Sequence, residues 1–200
     1  MNLTECYFCS NPAIYTCAVC RKPLCSIHVK AMPVCHSCIP KTRKEFTITE
    51  KTEKDSLKIK ELTKLFWGEE EQLTFDVKVR VHELPAYVAR SNGKLVGFVS
   101  YMPLKVDMLI AALAVLPNYQ GVGVGKALMQ KIEEKAMKLS KRRILVSTSN
   151  DDLPALAFYQ KLGFQIFEVK SNVIAEKHGQ TVAGINGIPI RDEIRLRKIL

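Results

Sequence analysis

The sequence predicts an α/β (α+β) domain, a mixed central sheet flanked by helices, preceded by a small metal-held module. Three observations carry this. All seven cysteines fall within the first 38 residues. From Phe46 onward, β-rich runs alternate with amphipathic helical patterns, the order expected when strands and helices layer around one sheet. A glycine-rich turn, Tyr119-Gln-Gly-Val-Gly-Val-Gly-Lys126, joins a buried strand to a helix. The predicted units are residues 1–40, a short basic linker at 41–45, and residues 46–200.

The totals limit the function classes. With 47% hydrophobic and 25% charged residues, the chain lies away from the polar, highly charged compositions that stay disordered. Its longest clean apolar run, Met108 to Leu116, is too short for a bilayer, which needs ~20 residues, so no membrane partner is expected. The start, MNLTECYFC, has neither a basic nor an apolar leader region, and a cytoplasmic location is expected.

In the first unit the ligand-type residues come as Cys6-x2-Cys9, Cys17-x2-Cys20, Cys25-x2-His28 and Cys35-x2-Cys38. Two intervening residues let a tight turn aim both side chains at one ion, and Zn²⁺ takes four such ligands tetrahedrally. Eight ligands make two structural Zn²⁺ sites. So short a segment buries little apolar surface, and the metals would supply most of its folding energy. An odd cysteine count without a leader argues against a disulfide scaffold. The series resembles the B-box and related cross-brace fingers. That resemblance implies one ion on Cys6, Cys9, Cys25 and His28 and the other on Cys17, Cys20, Cys35 and Cys38, with His36 an alternative to Cys35. A finger of this kind would contact a protein partner.

Net charge falls from +10 to +7 once seven thiolates and two Zn²⁺ are counted. The excess is spread along the chain, as on a solvated lysine-rich surface. Residues 1–45 keep only about +1, and they show no recognition helix, so a nucleic-acid partner has little support beyond the overall charge.

The second unit is read element by element. FTIT (46–49) alternates and predicts a strand. Leu57, Ile59, Leu62, Leu65 and Phe66 space a helix over Ser56–Trp67. Residues 86–102 predict a hairpin, because Asn92-Gly93 is the pair a type I′ turn requires. Met108–Leu116 reads as a buried central strand closed by Pro117. Gly125–Leu139 is an amphipathic helix with Leu128, Ile132 and Leu139 on one face. Ile144–Thr148 is another buried strand, Pro154–Leu162 a helix stopped by Gly163, and Phe164–Val169 a strand. Thr181–Ile185 and Ile194–Leu196 suggest a last hairpin.

The glycine turn tests three phosphate-binding patterns. A Walker A loop needs glycine at 120 and Ser or Thr at 127, where Gln120 and Ala127 stand. A dinucleotide fingerprint begun at Gly121 needs glycine at 126, where Lys126 stands. Gln-x-x-Gly-x-Gly is satisfied by Gln120, Gly123 and Gly125. Without Cβ atoms, the amides of Gly121, Val122, Gly123, Val124, Gly125 and Lys126 can converge on a pyrophosphate at the positive end of a helix. Downstream stands SNDDLPALAFYQKLGF (149–164).

Together, LAVLPNYQGVGVGKALM (113–129) and ALAFYQKLGF (155–164) resemble the GNAT acetyltransferases, over roughly residues 46–200. The resemblance implies an acetyl-CoA-dependent N-acetyltransferase acting by direct attack of an amine in a ternary complex. Backbone groups of Leu113, Ala114 and Val115 would hold the pantetheine arm, and Gln120–Lys126 the pyrophosphate. Asn150 and Asp152 would flank the coenzyme path, with Asp152 standing where the family often has asparagine. Tyr159 matches the tyrosine that protonates the departing thiolate. The acceptor would be a protein lysine, a protein N-terminus or a small amine. No base is assigned: Met108–Leu116 contains no Glu, Asp or His, and Asp107, His82, Glu83, Glu168 and a water chain all stay open. That missing acid also admits a different class, an acyl-CoA-sensing protein whose finger recruits a partner.

Overall fold

In the computed structural model, residues 4–17, 21–26 and 45–200 are described. Cys20, His28, Cys35, His36, Cys38 and linker residues 41–44 lie outside them. In the first unit β1 (Tyr15–Thr16) pairs antiparallel with β2 (Pro23–Leu24). The turn between them is closed by Cys17 N–H on Lys22 O and Arg21 N–H on Cys17 O. Arg21 adopts a left-handed φ of 61° there.

The second unit is built on a seven-stranded mixed sheet. In chain order it comprises β3 (Thr47–Glu50), α1 (Glu53–Trp67) and a separate hairpin of β4 (Glu71–Thr74) and β5 (Val77–Arg80). Next come β6 (Ala86–Ser91), β7 (Lys94–Pro103) and β8 (Asp107–Val115). Then follow α2 (Val124–Lys138), β9 (Arg143–Ser149), α3 (Leu153–Lys161) and β10 (Gln165–Lys170). Last are α4 (Val173–His178), β11 (Val182–Ala183), β12 (Pro189–Ile190) and β13 (Glu193–Ile199). The spatial order is β10-β13-β9-β8-β7-β6-β3. Every neighbouring pair is antiparallel except β8 and β9, which the α2 crossover makes parallel.

Two helical layers bury the two faces. Leu128, Met129 and Ile132 of α2 pack with Ile110, Ile144, Val146 and Leu196. On the other face, Ile59 and Leu62 of α1 pack with Val88, Phe98, Ala112 and Ala114. A bulge in β8 sets this division. Ser100 pairs with Ala112 and Tyr101 with Ile110, so Ala111 is the extra residue. The extra residue shifts the alternation, leaving Ile110 toward α2 and sending Ala112 and Ala114 toward α1.

Three sequence expectations need correction. Leu57 and Leu65 are 75% and 71% exposed: α1 begins earlier, at Glu53, and its buried stripe is Ile59, Leu62 and Thr63. Leu139 does not face the core; it follows the last helical residue and is exposed. The tail is not one hairpin. β11 pairs with β12, whereas β13 inserts between β9 and β10 and binds both along its length. Local spacing cannot reveal a strand that returns to the middle of a sheet. The β4–β5 hairpin and α4 were not foreseen.

Candidate active site

The parallel pairing of β8 and β9 lasts only three residues, ending at Leu109↔Leu145. Beyond that point β8 runs on to Val115 held by β7, and β9 to Ser149 held by β13. The sheet therefore opens into two arms, and the backbone of Ile110–Val115 turns an edge without a β9 partner into the gap. Such an edge offers unpaired N–H and C=O groups to an extended ligand. Leu113, Ala114 and Val115 are on it.

The glycine turn sits at the end of that edge. Pro117–Tyr119 form one 3-10 turn, and the Gln120 side chain donates from Nε2 to Val115 O at 3.0 Å. Gln120 thus ties the turn to the strand end. Gly121 and Gly123 have φ of 73° and 101°, and Gly123 is the N-cap of α2. Those left-handed values disfavour any residue with a Cβ. No side chain caps the helix, and its entry bond is Ala127 N–H on Gly123 O. The amides before Ala127 therefore point out of the helix, at the positive end of its dipole.

The other two glycines serve close packing. A Cβ on Gly125 would lie 3.3 Å from the Phe158 ring. One on Gly97 would lie 2.9 Å from Ala114 O and 3.2 Å from Val124. These two approaches seat the first turn of α2 against β7, β8 and α3. Gly97 was missed in the sequence, although a lone glycine inside a strand signals close backbone approach.

Tyr159 is buried in the core cluster that holds Ile110 and Val146, the residues just past the last β8–β9 pair. Its ring meets Phe158 and Phe164 edge-on, at centroid distances of 5.3 and 5.6 Å. Burial, and then the nearby Asp152 charge, push its phenol well above the ordinary tyrosine range. It therefore keeps its proton at neutral pH.

Asp152 is the N-cap of α3 and accepts from Ala155 N–H at 3.0 Å. Burial raises its carboxyl, with the neighbouring Asp151 acting in the same sense. Asn150 is turned toward the tail. Its Nδ2 donates to Pro189 O, and its Oδ1 accepts from Arg191 and Asp192 N–H. Three of the four hydrogen bonds an amide can make are thus spent on the backbone. The acids considered as bases are also engaged. Asp107 forms a two-pronged pair with Arg143 at 2.9 and 2.7 Å, at the closed end of the sheet. Glu168 pairs with Arg195 and Glu83 with Arg80. Lys126 is half-buried at the start of α2.

In the first unit the Sγ atoms of Cys6, Cys9 and Cys25 lie within 4.8 Å of one another. Cys9 and Cys25 are 3.8 Å apart, far beyond a disulfide of about 2.05 Å. A tetrahedral ion with Zn–S bonds of about 2.3 Å places its sulfurs about 3.8 Å apart. These three residues come from the set expected on one ion, and Cys17 lies outside the cluster.

Compared with known proteins, residues 50–164 match the family model described as "Acetyltransferase (GNAT) family". The chain is 35% identical over 140 residues to the uncharacterised protein YdhI of Bacillus subtilis (strain 168), covering 67% of this chain and 86% of that one. It is 35% identical over 82 residues to the peptidyl-lysine N-acetyltransferase YiaC of Escherichia coli (strain K12), covering 41% and 51%. Among solved structures it resembles the IAA acetyltransferase from Bacillus cereus ATCC 14579, with a TM-score of 0.66 and 27% identity, covering 78% of this chain and all of that one.

Proposed function

The chain belongs to the acetyltransferase (GNAT) family, and on that premise we propose that it transfers an acetyl group from acetyl-CoA to an amine in a ternary complex. One observation carries this reading: β8 and β9 part beyond Leu109, and the uncapped start of α2 stands at the end of the freed edge. A pantetheine arm would lie along Leu113, Ala114 and Val115 and accept and donate backbone hydrogen bonds there. The pyrophosphate would meet the amides of residues 121–126, with Lys126 adding charge. Gln120 and Asp152 would shape the site from behind, one anchoring the turn and the other starting α3. Asn150 would hold the tail against the end of β9.

In the reaction the neutral amine attacks the acetyl carbonyl, an N–C bond forms, and the C–S bond breaks. A backbone N–H of β8 would stabilise the oxyanion. Tyr159 donates its phenolic proton to the departing thiolate and regains one from solvent. The amine proton would leave through water or through His82, whose buried Nδ1 has no hydrogen-bond partner among the described residues, since Asp107, Glu168 and Glu83 are held in ion pairs. By analogy with YiaC, a lysine side chain of a protein is the favoured acceptor. The first unit would be a zinc module that recruits that protein, with Cys6, Cys9, Cys25 and His28 on one ion. Cys17, Cys20, Cys35 and Cys38 would hold the second. Residues 1–40 and 46–200 are proposed as separate domains.

The test is release of free CoA from acetyl-CoA with amine acceptors. Tyr159→Phe should lower kcat by about 10- to 100-fold, within the range of general-acid contributions, and leave acetyl-CoA affinity unchanged. Tight coenzyme binding with no turnover on any acceptor would instead support a sensing protein.

A further inference from the structure

The chain puts a titratable group where a neutral one would start α3 equally well. Asn and Asp are comparable N-caps, yet the cap is Asp152. Tyr159 follows seven residues later, two turns and about 10.5 Å along the axis, on the same face of the helix. Helical side chains lean back toward the N-terminus, which directs the Tyr159 ring over Ala155, one turn earlier, and toward Asp152. Ala155 carries only a methyl and packs against the cluster that buries Tyr159, so it leaves the ring that path.

Strand β9 supports both side chains from below. Thr148 holds its hydroxyl toward the Asp152 carboxylate. Val146, two residues earlier on the same face of the strand, packs in the cluster with Tyr159. Both lie on the part of β9 that has parted from β8. The two acids also meet through charge. After burial, the Asp152 charge is what raises the Tyr159 phenol. Asp152 is half-buried. Burial raises its carboxyl with help from Asp151, against the Ala155 N–H and Thr148 hydrogen bonds. Asp151 accepts from Ile185 N–H of the tail. Arg191 and Asp192, the tail's charged residues here, meet Asn150 through their backbone N–H groups.

We infer that Asp152 is a positioning residue for the transfer step, its charge state deciding how readily Tyr159 gives its proton to the departing thiolate. This rests on the acetyl-transfer reading. As the C–S bond breaks, the Tyr159 O–H bond breaks and an S–H bond forms, leaving a phenolate until solvent returns a proton. A carboxylate at 152 opposes that phenolate, whereas a carboxylic acid does not. Transfer should therefore slow, relative to a neutral cap, as pH rises through an Asp152 pKa that lies above the ordinary aspartate value.

The experiment compares Asp152→Asn with the parent in the full chain, reading kcat from CoA release with one amine acceptor between about pH 5 and pH 9. The ratio of variant to parent cancels the acceptor's own titration. It should be about three- to tenfold larger at the alkaline end than at the acid end. In a Tyr159→Phe background the same change should leave a ratio that varies less than about twofold with pH. A pH-independent ratio with the tyrosine present overturns the inference, because Asp152 is then only a cap. So does a pH dependence that survives loss of the phenol. If Asp152→Asn melts below the parent, Asp152→Ser, another neutral cap, is read by the same criteria. Parent protein that releases no CoA with any acceptor overturns the acetyl-transfer reading itself.

Discussion

At the scale of single residues, the four glycines of the site divide into two physical roles. Gly121 and Gly123 supply left-handed backbone, while Gly97 and Gly125 supply room. Gly97→Ala drives a Cβ into Ala114 O and Val124, and strand backbone cannot yield without breaking ladder bonds. It should cost about 1–3 kcal/mol, as overpacking does, and weaken acetyl-CoA binding by tilting the start of α2. Gly125→Ala should behave differently. The helix gains up to about 1 kcal/mol in propensity, offsetting the small displacement of Phe158, so stability should change little. Thermal melts and coenzyme titrations of both variants check the contrast. Motif reading found Gly121, Gly123 and Gly125 but could not distinguish these roles. A packing distance is set by a partner element, not by the glycine's neighbours in sequence.

At the scale of elements, α1 shows how a start signal outranks spacing. Asp55 accepts from both the N–H and Oγ1 of Thr52 at 2.8 Å, and Arg90 on β6 bonds its other oxygen. Burial alone would raise this carboxyl, but the Thr52 and Arg90 hydrogen bonds outweigh it and hold the pKa below the usual aspartate range. A depressed carboxylate contributes stability above its unfolded pKa and loses it as pH falls through the folded one. Asp55→Asn should therefore destabilise the protein by about 1–2 kcal/mol at neutral pH, comparable to loss of a helix cap. The difference from the parent should shrink below about pH 4, where the unfolded carboxyl begins to protonate. Denaturant unfolding across pH measures it. The hairpins give a parallel lesson: Asn92-Gly93 announces its turn, whereas Phe75-Asp76, with positive φ of 49° and 63°, contradicts its own conformation and is held by Glu193 of β13.

For the whole molecule, the zinc-module reading proposed above would give the two units different sources of stability. Residues 46–200 bury two apolar layers around the sheet, whereas the described part of the first unit has two two-residue strands and a thiol cluster. Chelation of the full chain should release two Zn²⁺ and abolish structure in the first unit. The main thermal transition and acetyl-CoA binding should persist. Metal analysis before and after chelation, with calorimetry of coenzyme binding, checks this. Loss of coenzyme binding with the metal would show that the units depend on each other.

Much of this fold was legible in its sequence: the helix-entering glycine turn, the Asn-Gly hairpin and the buried strands. Each is written within a few residues, because backbone conformation and the alternation of apolar residues are local properties. Tertiary structure alone decided where the site opens and what surrounds it. The parting of β8 from β9, the insertion of β13 between β9 and β10, and the hold of Glu193 on the Phe75 turn depend on residues far apart in the chain. Pairing of distant segments is selected by the total burial and hydrogen bonding of the folded state, and no short stretch of sequence records that sum.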